Sequence, residues 1–406
     1  MKFILRAKTR SLKGTIELPG SKSISNRVLI IQALAKQPFE INQLSKADDT
    51  QVLTKALERN DIITDVGPAG TAMRFLTAYY ASVPGEKVLT GSDRMKGRPI
   101  KILVDALRLL GANITYLDKE GYPPLHIEGR RLKGGSISIN GNVSSQFITA
   151  LMLIGPTLPQ PLVLNIEGDP LSRPYIIMTQ YLMETCGAQV EISGNQIIVK
   201  PGRYRSSAFT IERDWSAAAF WMSFGALSNK TNLLLAGLKE NSIQGDIAAI
   251  NLFQNMGIDC TFEENGLRLT KSSLSNNETE WNFRNHPDLV QPAVFALAGL
   301  KKKFTLHGLD NLRLKETDRI DAMMAELKKM GVKGAVRQHS LHLESGTPTA
   351  PNEPFLSYED HRMVMAVAPM SMLFPEIHIE GPMVVGKSYP GFWKQVEKFV
   401  DVRPHR

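Results

Sequence analysis

The stretch TIELPGSKSISNRVLIIQALA, residues 15–35, decides how the chain is read. A short alternating strand meets Pro19-Gly20, then a polar run containing Ser21, Lys22, Ser23, Ser25 and Arg27, then an apolar helix. Capping a helix start needs only one serine. The surplus lysine and arginine call for another explanation. Helix N-termini present free N–H groups and partial positive charge, so a helix start flanked by cations is suited to an anion.

The pattern recurs. Strand, short polar loop and alanine-rich apolar helix return as TDVGPAGTAMRFLTAYYA (64–81), SISINGNVSSQFITALMLIG (136–155), FTIERDWSAAAFWMSFGAL (209–227), NFRNHPDLVQPAVFALAGL (282–300) and SYEDHRMVMAVAPMSML (357–373). The full period is roughly 70–76 residues, as expected of a repeated supersecondary unit. A second mark follows each copy: an amphipathic helix closed by glycine and then a hairpin. Gly111, Gly187, Gly257 and Gly331 fill the stop position, where a left-handed conformation favours glycine. Asn60 takes that place in the earliest copy and is expected to adopt the same cap, while the last copy, FWKQVEKFVDV, reaches its stop as the chain ends. The first apolar helix is followed by the second after only about 44 residues, too few for a whole unit. The first unit is therefore expected to lack its hairpin. The sequence predicts an α/β (α+β) protein of six βαβαββ units, the first truncated; if these form two sets of three, six helix starts can converge on one cleft.

Composition narrows the function. The 406 residues are 43% apolar and 22% charged, with a net charge of +8. The basic residues are dispersed, which suits small multiply anionic ligands better than nucleic acid. No apolar run approaches a membrane span, and the opening MKFILRAKTRSLKG is too charged for a signal peptide. Cys186 and Cys260 form neither a disulfide framework nor a zinc motif. A cytoplasmic protein with no zinc site, no nucleic-acid partner and no membrane partner is expected. The histidines His126 and His307 read as structural, and Lys301-Lys302-Lys303 as a solvated turn.

LPGSKSISNR, GPAGTAMR, RMKGRP, NVSSQF, LSRPYI, LKETDR, EDHRM and GKSYPGF occur in that order along the chain. Together they resemble the 5-enolpyruvylshikimate-3-phosphate synthase family from end to end. The resemblance implies an inside-out α/β barrel of two three-unit domains, 20–212 on the shikimate 3-phosphate side and 1–19 with 213–406 on much of the phosphoenolpyruvate (PEP) and catalytic side. It implies transfer of the enolpyruvyl group of PEP to the 5-hydroxyl of shikimate 3-phosphate, with release of phosphate and no cofactor.

By that resemblance, shikimate 3-phosphate is held by Lys22, Ser23, Arg27, Ser144, Ser145, Gln146, Ser172, Tyr175, Asp288, Asn311 and Lys315. PEP is held by Lys22, Gly70, Arg98, Gln146, Arg319, Arg362 and Lys387. Guanidinium forks fit its carboxylate and phosphate bidentately. Gly70 is expected to let backbone approach the phosphate. The chemistry is addition followed by elimination, which calls for an acid/base on each side of the reacting carbon. Asp288 is the candidate for the hydroxyl proton, Glu316 for the methylene proton, and Lys22 for assisting phosphate departure. The plainer account of Glu316 and Arg319 is an i,i+3 surface ion pair. Arg74 is expected to support the site, His361 to shape it beside Arg362, and Asp214 to act as a ligand or positioning group.

Two alternatives remain at this point. A UDP-N-acetylglucosamine enolpyruvyl transferase would share fold and PEP chemistry, but that family carries a cysteine before its Arg-Pro pair, where this chain has GSDRMKGRP. A non-catalytic polyanion-binding protein would explain the charge, but not Asp288, Glu316 and Lys387 together. One departure from the resemblance stands out: GPAGTAMRF has Pro68 where asparagine is usual, and Phe75 where proline or leucine is common. Altered packing beneath the PEP site is expected, with an altered response to glyphosate, which occupies that subsite in the family.

Overall fold

The computed structural model describes residues 1–35, 37–141, 144–205, 208–274 and 278–405. The chain divides into two compact units. A central unit runs from Gly20 to Ile211, and a terminal unit joins Met1–Pro19 to Glu212–Arg406. Helices and strands alternate along both, and among the described residues the strands form six sheets, three in each unit.

One unit shows the shared design. Strand Ile63–Asp65 pairs in parallel with Gly85–Thr90, and the apolar helix Gly70–Ser82 makes the crossover that a parallel pair requires. Gly85–Thr90 then pairs antiparallel with Leu125–Gly129, which pairs with Asn113–Tyr116 as a hairpin. Strand order is thus first, second, fourth, third. The sheet built from Gly135–Asn140, Leu162–Glu167, Val190–Ser193 and Gln196–Val199 repeats it. Alternation sets which face is covered: Ile137 and Ile139 are buried, while Ser136 and Ser138 are exposed.

The crossover helices are the core. Every residue of Val290–Gly299 is buried, and in Trp215–Leu227 all but Ser216 are. A helix that is apolar all round has no solvent face to offer and must be enclosed. The glycine stops behave as the sequence predicts, with φ of 95° at Gly111, 85° at Gly187, 79° at Gly257 and 70° at Gly331. Asn60 does not. The helix Asp48–Glu58 ends instead at an extended Arg59, and the Asn60 side chain accepts a hydrogen bond from Lys87 Nζ at 3.1 Å.

The expected truncation is visible. Ile41–Asn42 pairs in parallel with Phe209–Thr210 in a sheet that has two strands among the described residues, where the other five sheets have four. The structure adds an exchange that the repeat pattern conceals. Strand Ser11–Glu17, which leads into Lys22–Leu34, pairs with Lys230–Ala236 of the terminal unit. Phe209–Thr210, which leads into Trp215–Leu227, pairs within the central unit. At each passage between units, the strand and the helix after it serve different sheets. The last repeat is also completed differently from expectation: the chain does not stop after its helix but forms Val400–His405, paired with the N-terminal strand Lys2–Ala7. Among the described residues, no helix is long and apolar enough to cross a membrane.

Candidate active site

In the central unit, the residues of SKSISNR divide their tasks by direction around the helix. Ser21 caps it, its hydroxyl accepting from Ile24 N at 3.4 Å. Ser25 accepts from Ser45 N at 3.0 Å, and Asn26 from the Thr50 hydroxyl at 2.9 Å, which fastens the next loop and helix. Lys22 pairs with the buried Asp49 at 3.0 Å. Asp49 is a partner that no local motif discloses.

Arg27 is buried, its Nε donating to Thr179 Oγ1 at 2.8 Å and its Nη1 to Ser23 O at 2.8 Å. Its guanidinium lies 5.6 Å from the Phe75 ring and 5.8 Å from the Tyr175 ring, within cation–π range of both. Burial pushes the Arg27 pKa down to about 10, against a smaller upward pull from Tyr175. Phe75 therefore packs against Arg27, a residue assigned by resemblance to shikimate 3-phosphate.

Gly70 has a constraint that the sequence does not disclose. A β-carbon there would sit 2.6 Å from Arg98 Nη1, so its missing side chain makes room for the Arg98 guanidinium. Arg74 ties the same helix to the loop that carries Arg98, donating to Pro99 O at 3.2 Å and to Met95 Sδ at 3.1 Å. Ser144 caps the helix Ser145–Ile154 by accepting from Gln146 N at 3.3 Å, and Gln146 Nε2 donates to Thr71 Oγ1 at 3.2 Å. Gln146 thereby links two helix starts. Ser145 is buried beside them, while Asn142 and Val143 of NVSSQF lie outside the described residues. Ser172 is buried in the left-handed region at φ 58°, a conformation that costs a non-glycine residue energy and clusters at functional sites.

The terminal unit gathers the rest. Arg319, 1% exposed, donates Nε to Asp360 Oδ2 at 2.7 Å, Nη1 to Asp288 Oδ1 at 3.2 Å and Nη2 to Glu316 Oε2 at 2.9 Å. Arg362 Nη2 donates to Asp288 Oδ2 at 2.7 Å, and Lys387 Nζ lies 3.3 Å from Glu316 Oε1. The Glu316–Arg319 ion pair exists, but it is buried inside a network rather than on the surface. Asp360 completes it and also caps the helix His361–Val367, accepting from Arg362 N at 2.8 Å. Tyr358 and Glu359, just before it, are held at φ 52° and 55°. Asp360 was readable as an acid preceding an apolar helix, the usual N-cap signature. Its grip on Arg319 was not.

Burial raises the Asp288 carboxyl, yet Arg362, Lys315 and Arg319 together outweigh it and hold Asp288 well below the usual carboxylate range. Burial would also lower Arg319, but Asp360, Glu316 and Asp288 keep it fully charged. Asn311 is half-buried with a carbonyl oxygen that no donor in the described structure engages. His361 is enclosed next to Arg362, and Asp214 caps Trp215–Leu227 by accepting from Ala217 N at 2.9 Å. His126 and His307 lie on sheets with Glu86 and Glu280, as structural residues should.

Repeated sheet units whose helix starts collect arginines, lysines, hydroxyls and carboxylates suit an enzyme for small, multiply anionic substrates. The comparisons specify which. A family model described as EPSP synthase (3-phosphoshikimate 1-carboxyvinyltransferase) matches residues 7–59 and 51–396. The 3-phosphoshikimate 1-carboxyvinyltransferase of Bacteroides fragilis strain YCH46 is 46% identical over 401 residues, covering 98% of each chain. That of Escherichia coli strain K12 / DH10B is 35% identical over 415 residues, covering 95% of this chain and 96% of its own. The solved EPSP synthase of Acinetobacter baumannii superposes with a TM-score of 0.77 at 22% identity, over 99% of this chain and 100% of that one, which shows a shared fold. The chain belongs to the EPSP synthase family.

Proposed function

We propose that this protein transfers the enolpyruvyl group of PEP to the 5-hydroxyl of shikimate 3-phosphate and releases phosphate. Family membership favours this reading over a UDP-N-acetylglucosamine enolpyruvyl transferase and over a non-catalytic polyanion binder. The observation that carries it is the network in which Arg319, Arg362 and Lys387 surround Asp288 and Glu316.

In the resting protein these cations are offset by internal carboxylates. PEP brings a carboxylate and a phosphate that compete for the same guanidinium and ammonium groups, so its arrival loosens their hold on Asp288. A carboxylate released from two arginines is a stronger base, because the charges that depressed its pKa are now shared. Asp288 then takes the proton of the 5-hydroxyl as that oxygen bonds to C2 of PEP. Glu316, loosened from Arg319 and Lys387 in the same way and protonated from solvent, supplies that proton to the methylene carbon, which becomes a methyl group. In the second step the methyl group returns a proton to Glu316, the C2–O bond to phosphate breaks, and the double bond reforms. Lys22 stabilises the departing phosphate.

The residues assigned to shikimate 3-phosphate are Lys22, Ser23, Arg27, Ser144, Ser145, Gln146, Ser172, Tyr175, Asp288, Asn311 and Lys315. Gly70, Arg98 and Gln146, with Lys22, serve PEP alongside Arg319, Arg362 and Lys387. The protein acts as a cytoplasmic monomer without metal or cofactor. Phosphate release from PEP that depends on shikimate 3-phosphate is the test. No release, or equal release with a UDP-sugar, overturns the reading.

A further inference from the structure

Behind Asp288 lies a second acidic group that the reaction above does not use. Asp246, 3% exposed, sits in the short turn Gly245–Ala248 of the terminal unit. Its Oδ2 accepts from the Ser216 hydroxyl on the neighbouring helix. Its Oδ1 is buried and meets no donor among the described residues. Facing it at 4.0 Å is Nδ1 of His286, also buried and also without a hydrogen bond there. His286 stands two residues before Asp288, at the start of the turn Pro287–Leu289 that presents that carboxylate.

Two buried polar atoms left unengaged and aimed at each other cost free energy unless something joins them. One proton does so: a carboxylic O–H on Oδ1 donating to a bare Nδ1 satisfies both, after a closure of about 1 Å to ordinary hydrogen-bond length. We propose that Asp246 and His286 are positioning residues that hold one proton between them behind Asp288, and that its loss tunes the basicity of that carboxylate. The proposal rests on the function proposed above.

The charges facing the pair agree. Burial pushes the Asp246 carboxyl up to about 7, aided by Asp288 and Asp214 and opposed by the Ser216 hydrogen bond and by Arg362. Burial lowers His286, against a hydrogen bond to the Gly245 backbone, so the imidazole is neutral where the carboxyl is protonated. As pH rises through neutrality Asp246 ionises, its negative charge opposes that of Asp288, and Asp288 becomes the better proton acceptor.

The test has two arms on the whole chain. Ring-nitrogen NMR shifts of His286, assigned with His286→Gln, are followed in the free protein from about pH 5 to pH 9. The wild type is expected to show an Nδ1 inflection near neutrality that Asp246→Asn abolishes. Turnover measured over the same range is expected to rise through neutrality in the wild type. That limb should flatten in Asp246→Asn and in His286→Gln, with KM for both substrates within about threefold. An unchanged His286 titration in Asp246→Asn, or a uniform loss of turnover at every pH, overturns the proposal. Should Asp246→Asn fail to fold, His286→Gln alone decides the matter through its pH profile. Absence of any turnover in the wild type defeats the proposed function instead, and leaves the NMR arm readable.

Discussion

Arg319 illustrates what a buried environment does to a short string of residues. KETDR reads locally as a solvated ion pair, worth well under about 1 kcal/mol. Enclosed with Asp360, Asp288 and Glu316, the same arginine becomes the hub of the site. Its neighbours lie 31 and 41 residues away in sequence, so spacing alone does not reveal them. The same holds for Asp49 beside Lys22 and Asp246 beside His286. Residue types at helix starts were legible because caps and anion sites have local signatures; the pairing of Asp49, Asp246 and Asp360 with partners distant in sequence was not. Asp288→Ala and Glu316→Ala should lower kcat about 100-fold or more, the scale of general acid–base catalysis. Ser172→Ala should cost less than about tenfold, and comparable losses from all three would undo the assignment. Asp288 also makes a stability prediction. Its folded pKa is depressed, so its contribution is complete above the unfolded value of about 4 and is lost as pH falls through the lower folded value. Thermal melts should therefore show Asp288→Asn less stable than wild type at neutral pH. The gap should narrow in acid, and a constant gap would contradict the assignment of charge.

At the scale of elements, periodicity identified the apolar crossover helices and their glycine stops because both are written in consecutive residues. What it missed was packing between elements. Gly70 was singled out for close approach to a phosphate, and the structure places the Arg98 guanidinium, from a loop after the next strand, against it. Phe75 was singled out on the same helix, and its ring lies 5.6 Å from the Arg27 guanidinium. Gly70→Ala separates these effects. The new methyl would press on the end of a flexible side chain rather than on backbone, so the helix should persist and Arg98 should swing away. The expected result is a melting temperature near that of the wild type and a KM for PEP raised about tenfold, the worth of about 1.4 kcal/mol. The KM for shikimate 3-phosphate should change far less. An unchanged KM for PEP would remove Arg98 from the PEP set.

For the whole molecule, six repeats, one of them shortened, were legible from period and length, whereas the exchange of strands at the two passages was not. Ser11–Glu17 and Phe209–Thr210 each carry an ordinary strand signal, and nothing local says which sheet will receive them. The exchange places the two-stranded sheet where the chain re-enters the terminal unit, between residues 211 and 212. That sheet is held by two register pairs, flanked by Phe209 N donating to Glu40 O and Ile211 N donating to Asn42 O, both at 2.9 Å. Sheets of four strands share their load through a central pair hydrogen-bonded on both sides; a lone pair has no such neighbour. Local opening draws on the least-connected hydrogen bonds first. Amide exchange should therefore show Phe209 and Ile211 far less protected than Leu164 and Ile166, which lie in a strand paired on both sides. Because the passage at Pro19-Gly20 lies close by, with a β-carbon on Gly20 only 2.2 Å from Gln43 O, the opening should stop short of it. Ser25 and Asn26 hold the following segment through Ser45 and Thr50, so the helix start that carries Lys22 should keep its protection while the small sheet exchanges. Equal protection across all six sheets would mean that the shortened repeat is braced by something other than its own hydrogen bonds.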